Sequence, residues 1–417
     1  LISLVFVISF VCLSKPGQTL LLASGPDNWF TEYRVQHQIY YPEEINFYLS
    51  GSWQEEIYGI RLNYSFANSS VWSYKYVDPS SYGKNGFEVA LNPTGSKYIP
   101  PGTKITYFFD LVSISGKTHT SNQDEFHYLD PSVQWQYATS KHLTLIWHDR
   151  NRNDIESIAK KGIKSNLELT KILNLPNPNP ITGVIVNNRA EARKSFPTIS
   201  KAANKEELYG GFAFWDYDTF VVIGTSLDGI IHESTHLLVN QSLNPTTRLP
   251  AWLSEGLAMH FEESKRETEQ ILQAYSPDQV FDLRYMNSVP GKPSDVRLFY
   301  LMSESFVGFL FSKYDDNKMK ELISKIDSGS PIDEAIFATY GDSISKLQTT
   351  WLNSFSDRYE NKIDVDIGSF GTSLILSIAF IIGLFFSILG WLKHRMSDSN
   401  SDDHLRSDEY EEGYWDK

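Results

Sequence analysis

Between about Tyr33 and Tyr128, apolar and polar positions alternate with a period of two. The clearest runs are Ile45–Ser50 (INFYLS), Ile57–Phe66 (IYGIRLNYSF), Phe87–Leu91 (FEVAL) and Lys104–Val112 (KITYFFDLV). β-Branched and aromatic residues alternating with polar ones, broken by Asn, Pro, Gly and Ser, mark short antiparallel strands. Pro100-Pro101-Gly102-Thr103 reads as a turn leading into a strand. No helical period interrupts the region. The pattern predicts an all-β sandwich of immunoglobulin-like type over residues 28–130, without the Cys…Trp…Cys spacing of a true immunoglobulin domain.

The period then changes. Asp130 to Asp149 reads as a seam that ends in the strand HLTLIWH. From Asn153 to Leu175 the apolar positions Ile155, Ile158, Ile163, Leu167, Leu169 and Ile172 recur at helical spacing. A Pro-Asn run at 176–180 stops that helix, and ITGVIV follows as a strand. Ala190 to Phe196 fits a short helix. Tyr209 to Gly224 reads as a strand with a turn near Asp216 to Asp218. Two helices come next, Asp228 to Asn240 and one beginning near Pro250. Further helical spacing runs from Met302 to Ser356. Strands mixed with helices predict an α+β domain over residues 133–356.

Both ends are apolar in a different way. Leu1 to Ser14 has the length of a signal-peptide core, so residues 1–24 are expected to be a signal peptide whose recorded start is truncated. Residues 357–369 are polar and read as a stalk. Residues 370–392 carry no charge and have about the length that crosses roughly 30 Å of hydrocarbon. Trp391 marks the boundary, and Lys393, His394 and Arg395 follow, which places the acidic tail 393–417 in the cytoplasm. The expected arrangement is a single-pass protein of the cell membrane with its folded domains outside.

Charge and cysteine narrow the chemistry. A net charge of −14 argues against nucleic acid as a partner. The one cysteine, Cys12, lies in the leader, so the folded part has neither a disulfide nor a cysteine metal site. Hydrophobic residues make up 41% of the chain, enough for ordinary cores.

The candidate chemistry sits in DGIIHESTHLLVN. His232 and His236 are four residues apart and share one face of a helix. Two imidazoles so placed can hold one side of a zinc ion. Glu233 is offset by roughly 100° from His232, beside the metal, where a general base stands. Glu255 follows in RLPAWLSEGLAMHF. Two His and one carboxylate, with a fourth position left for water, form the catalytic zinc pattern. His142 and His148 read as packed or surface histidines.

HExxH, eighteen residues and Glu, set within PxWLxEGxA, resembles the gluzincin peptidases, and among them the bacterial peptidase MA-like metallohydrolases. The resemblance covers roughly Val133 to Ser356. It implies a thermolysin-like metallopeptidase fold, one Zn2+ held by His232, His236 and Glu255, Glu233 as general base, and a peptide or protein substrate. It also implies that Tyr209–Gly224 supplies the edge strand bordering the cleft, with Gly210 and Gly211 permitting close backbone approach. Aminopeptidase-type gluzincins carry Gly-Ala-Met-Glu-Asn there. This chain has GGFAFW, without that Glu, which favours an endopeptidase or another amide hydrolase. Related enzymes place a Tyr downstream in a Y-x-x-S context, which makes Tyr300 the candidate oxyanion donor. His260 is a candidate supporting residue, against a plain packing role. The alternative for the whole chain is a non-catalytic surface or adhesion protein with a zinc-containing scaffold domain. In the β-region, Trp53, Trp72 and Tyr74 suit either a sandwich core or a carbohydrate-stacking surface. With no convergent His, Asp or Glu cluster nearby, a spacer or substrate-presenting module is the expectation.

Overall fold

The structure is a computed structural model that describes residues 19–22, 29–82, 86–195, 210–264, 268–272, 274–275 and 279–356. The chain divides at Gln134/Trp135 into two compact units, apart from the short segments 95–98 and 216–218, which group the other way.

The first unit is all β. One sheet has the order β1 (Thr19–Leu22), β2 (Phe30–Tyr40), β3 (Glu44–Trp53), β6 (Phe87–Leu91). The other has the order β5 (Ser73–Val77), β4 (Ile57–Phe66), β7 (Lys104–Ser113), β8 (Thr118–Thr120), with β9 (Asp124–His127) also paired to β7. Every pairing is antiparallel. The period-two pattern becomes the pleat: Ile105, Tyr107, Phe109 and Leu111 of β7 are buried, and they share one core with Ile45, Phe47 and Leu49 of β3. Trp53 packs on Trp29 and Phe30 beside that core, whereas Trp72 and Tyr74 are exposed. β1 lies inside the stretch assigned to the leader and pairs residue for residue with β2, so the sheet begins by Thr19.

The second unit has a five-stranded mixed sheet, β10 (Gln136–Ser140), β11 (Leu143–Trp147), β12 (Ile181–Val186), β14 (Thr219–Ile223), β13 (Gly211–Phe214), in that order. The central β11, β12 and β14 run parallel and read as continuous apolar runs, because both of their faces are covered. β10 and β13 are antiparallel edges. The sequence pattern missed β10, whose half-exposed QYATS lacks the apolar run of its neighbours.

Helix α1 (Arg152–Ile172) makes the crossover between β11 and β12, and α2 (Arg189–Ser195) follows β12. Then come α3 (Leu227–Gln241), α4 (Ala251–His260), α5 (Thr268–Leu272), α6 (Pro293–Lys313), α7 (Asp316–Asp327), α8 (Ile332–Tyr340) and α9 (Ile344–Ser356). Gly256 allows α4 to approach α6 closely: a Cβ there would lie 2.4 Å from the Ser303 carbonyl oxygen and 2.4 Å from Val307 Cγ2. Among the described residues no helix is long and apolar enough to cross a membrane. Residues 1–18, the stalk at 357–369, the apolar run at 370–392 and the tail at 393–417 lie outside the described residues.

Candidate metal centre

Helix α3 starts at Ser226, whose Oγ accepts the Gly229 N–H at 3.1 Å. From Ile230 to Val239 every residue is buried. The helix is held on its inner side by Ser234, whose hydroxyl donates to Asn166 Oδ1 of α1 at 2.9 Å. One turn apart on this rigid element, the rings of His232 and His236 lie 4.9 Å centre to centre and nearly perpendicular, at 76°.

Helix α4 brings the third group. Trp252, Leu253, Leu257 and Ala258 bury its apolar side, and Glu255 meets both rings. Its Oε2 lies 3.4 Å from His232 Nε2, and its Oε1 lies 3.4 Å from His236 Nε2. One ligand atom from each of the three residues falls within 4.8 Å of the others. Two donors each about 2.1 Å from a tetrahedral zinc stand roughly 3.4 Å apart, so the spacing fits that ion. His232 Nε2 and Glu255 Oε2 are buried and hydrogen bond to nothing among the described residues. Orphaned polar atoms are costly away from water unless a partner fills the space between them. The donor set of two imidazoles and a carboxylate suits zinc.

The outer nitrogens are also engaged. His232 Nδ1 is 2.9 Å from Glu262 Oε1, and His236 Nδ1 is 3.1 Å from Ser254 Oγ. Both partners come from α4 or the turn just beyond it. Asp228, in the first turn of α3, steadies that turn by accepting the N–H groups of Glu263 at 2.9 Å and Ser264 at 3.2 Å. Neither Glu262 nor Ser254 stood out in the sequence. The signal was thin: Glu262 is seven residues past Glu255, just beyond the end of a helix. His260, read as either supporting or packing, stacks on Phe311 at 4.3 Å.

Glu233 is buried beside the edge strand. A Cβ on Gly211 of β13 would come within 2.6 Å of Glu233 Oε1, so only glycine leaves that carboxylate its place. Glu233 Oε2 and the Tyr300 hydroxyl are both buried without a hydrogen-bond partner among the described residues. His148 lies apart from this group. It is held between Asp149 at 2.8 Å and Glu191 at 2.5 Å.

The electrostatics follow from burial and crowding. Burial opposes a charge on His232, but the Glu255 and Glu262 carboxylates override it and lift its pKa to about 10. Burial, together with that neighbouring charge, takes His236 well below the usual histidine range. Burial raises Glu233 to about 8 and also raises Glu255. Tyr300 is pushed well above its ordinary value by burial and then by the carboxylates of Glu255 and Glu233. Three buried carboxylates crowded around two imidazoles make a group that could hold a cation.

Residues 185–357 match the family model of the Peptidase MA superfamily. That segment contains the whole cluster, and the match supports a gluzincin-like peptidase. No curated protein matches the chain. Solved structures similar to it include an aminopeptidase N family protein from Idiomarina loihiensis, at 12% identity over 80% of this chain and 74% of that one, with a TM-score of 0.34. They also include BhCBM56, at 11% identity over 27% of this chain and 98% of that one, with a TM-score of 0.19. A polysaccharide deacetylase from Bacillus cereus is 6% identical over 39% of this chain and 53% of that one, with a TM-score of 0.21, so the chain spans about half its length. Likenesses this distant carry no weight for activity.

Proposed function

We propose that this chain is a zinc-dependent metallopeptidase, anchored in the membrane by residues 370–392, that cleaves peptide bonds within extracytoplasmic chains. The carrying observation is the pair of 3.4 Å separations from the Glu255 carboxylate of α4 to the two Nε2 atoms of α3, with all three side chains buried. His232, His236 and Glu255 would hold the ion. Zinc, when bound, supplies Lewis acidity that makes water nucleophilic near neutral pH and polarises the scissile carbonyl.

The remaining steps belong to the chain's own groups. β13 ends the order of the described sheet, a position from which a strand's backbone could pair with an extended peptide. Glu233, packed against Gly211 of that strand, takes a proton as water oxygen attacks the carbonyl carbon. The C–N bond breaks and Glu233 gives the proton to the departing nitrogen, leaving a carboxylic acid and an amine, between which the second water proton then equilibrates. The Tyr300 hydroxyl donates to the carbonyl oxygen as it gains negative charge. Its lack of a partner among the described residues supports that role. β13 reads Gly-Phe-Ala-Phe, with no carboxylate for a substrate's free amine, which supports internal cleavage. In the other unit, the antiparallel strand orders β1-β2-β3-β6 and β5-β4-β7-β8, with β9 also on β7, support an immunoglobulin-like module.

The test pairs wild-type protein with Glu233→Gln. Both should carry one zinc per chain, and the variant should lose roughly 10²-fold or more in turnover. Peptides with blocked N-termini should be cut at least as well as free aminoacyl anilides. Equal turnover in both proteins would remove Glu233 from its role, and a zinc-free wild type would remove the metal.

A further inference from the structure

We infer that the outward face of the β5-β4-β7-β8 sheet binds an extended, uncharged polysaccharide. This inference stands apart from the peptidase assignment, because it concerns a different unit and different residues.

The outward positions of this sheet follow from its pleat. Ile60 and Leu62 of β4 and Tyr107, Phe109 and Leu111 of β7 point into the core. Tyr74 and Tyr76 of β5, Arg61 and Asn63 of β4, Phe108 and Asp110 of β7, and Thr120 of β8 therefore share the other side, and they stand opposite one another in register. Tyr74 and Tyr76 of the edge strand, and Trp72 just ahead of it, recur every second residue, with exposures of 58%, 55% and 38%. They form a row roughly 13 Å long at the usual strand rise. Trp72 is braced by Phe108 at 4.9 Å and Tyr74 by Tyr76 at 5.5 Å, while Arg61 lies over the Tyr74 ring. Large aromatics normally bury their rings. A contiguous exposed row marks a binding surface.

What lies beside the row decides the ligand. Asp110 accepts from Arg61 Nη2 at 2.8 Å, Asn63 Nδ2 at 2.7 Å and Thr120 Oγ1 at 2.7 Å. The result is a mutually hydrogen-bonded polar cluster, with Asn63 buried within it and Arg61, Asp110 and Thr120 reaching its surface. The charges at outward positions are paired with one another, Arg61 with Asp110 and Lys104 with Glu125. Such a face has no net attraction for a polyanion or an acidic lipid surface. Apolar rings in a row beside pre-positioned hydrogen-bonding groups match a pyranose chain. The C–H faces of the sugars cover the rings, and their hydroxyl edges reach the polar cluster. A protein partner would want a wider apolar centre than one strand provides.

The test uses the full chain in native gels containing laminarin, xylan, mannan or soluble starch, with alginate as a charged control and an immobilised casein column as a protein control. At least one neutral glycan should retard the protein. Tyr74→Ala/Tyr76→Ala should weaken that binding at least tenfold, and Tyr74→Phe should keep it. Turnover of a short peptide and thermal midpoint should stay the same, since these side chains are exposed and far from the metal ligands in the sequence. The inference is overturned if no neutral glycan binds, if binding survives the double variant, or if alginate alone binds. It is also overturned if casein retention is what the variants abolish, which would make this a protein-docking face.

Discussion

His232 Nδ1 and Glu262 Oε1 lie 2.9 Å apart, and both side chains are shut away from solvent. The contact fixes the ring from behind. With Nδ1–H donating to the carboxylate, the lone pair of Nε2 must face Glu255 and His236, which is the orientation a metal ligand needs. Glu262→Ala should therefore cost roughly 10–100-fold in zinc affinity. Glu262→Gln keeps an acceptor for Nδ1–H and should cost less. Competition against a chromophoric chelator measures both. Equal affinities in all three proteins would make the contact incidental.

Gly211 tests the position of the base. Its added Cβ would meet Glu233 Oε1 at 2.6 Å and the Val221 carbonyl oxygen at 2.9 Å. The backbone is the less able to move, so Glu233 should swing away in Gly211→Ala. A displacement near 1 Å costs roughly a hundredfold in rate. The expected outcome is a kcat loss of that order with zinc content unchanged, read from steady-state kinetics and metal analysis on the same sample.

Gly256 tests the packing that presents Glu255. Its Cβ would overlap the Ser303 carbonyl oxygen and the Val307 side chain at 2.4 Å each. Gly256→Ala should destabilise the domain by about 1–3 kcal/mol through overpacking. Because Glu255 is the preceding residue, zinc affinity should fall as well. Differential scanning calorimetry with and without added zinc separates the two effects.

The β-unit has its own pH signature. His37 is stacked on Phe126 and hydrogen bonded to the Tyr107 hydroxyl at 3.1 Å, and burial lowers its pKa to about 4, against a smaller opposing pull from Asp124. Burial lowers His127 and His119 in the same direction. Above pH 6.5 these rings are neutral in both folded and unfolded chains, and no penalty exists. As the pH falls from 6.5 towards 4, the unfolded chain gains protons that the folded one refuses, so stability drops. For His37 the full drop is about 3 kcal/mol, at 1.36 kcal/mol for each pKa unit. Urea titrations at pH 7 and pH 4 should show it, and His37→Phe should flatten part of the slope.

What could be read in advance follows from how local each signal is. Helix α3 announces itself because four-residue spacing is a property of one helix. Glu255 is legible because a contiguous motif, PxWLxEGxA, surrounds it. The parallel strands β11, β12 and β14 were visible as apolar runs. Glu262 and Ser254 were not, because a carboxylate behind a ligand is defined only by where the turn after α4 returns to α3. Trp53 and Trp72 look alike in sequence, and only the pleat separates the one packed on Trp29 from the one left in solvent. β10 was missed for a related reason: an edge strand has one partner and half its surface in water, so its residues need not be apolar.

The most direct measurement is X-ray absorption at the zinc edge on the purified full chain, repeated for His232→Ala and Glu255→Ala. The expected result is one zinc per wild-type chain, with two imidazole nitrogens and oxygen donors at about 2.0–2.2 Å, and loss of stoichiometric zinc in both variants. A wild type that takes up no zinc, or a spectrum unchanged when His232 or Glu255 is removed, would contradict a shared metal at these residues.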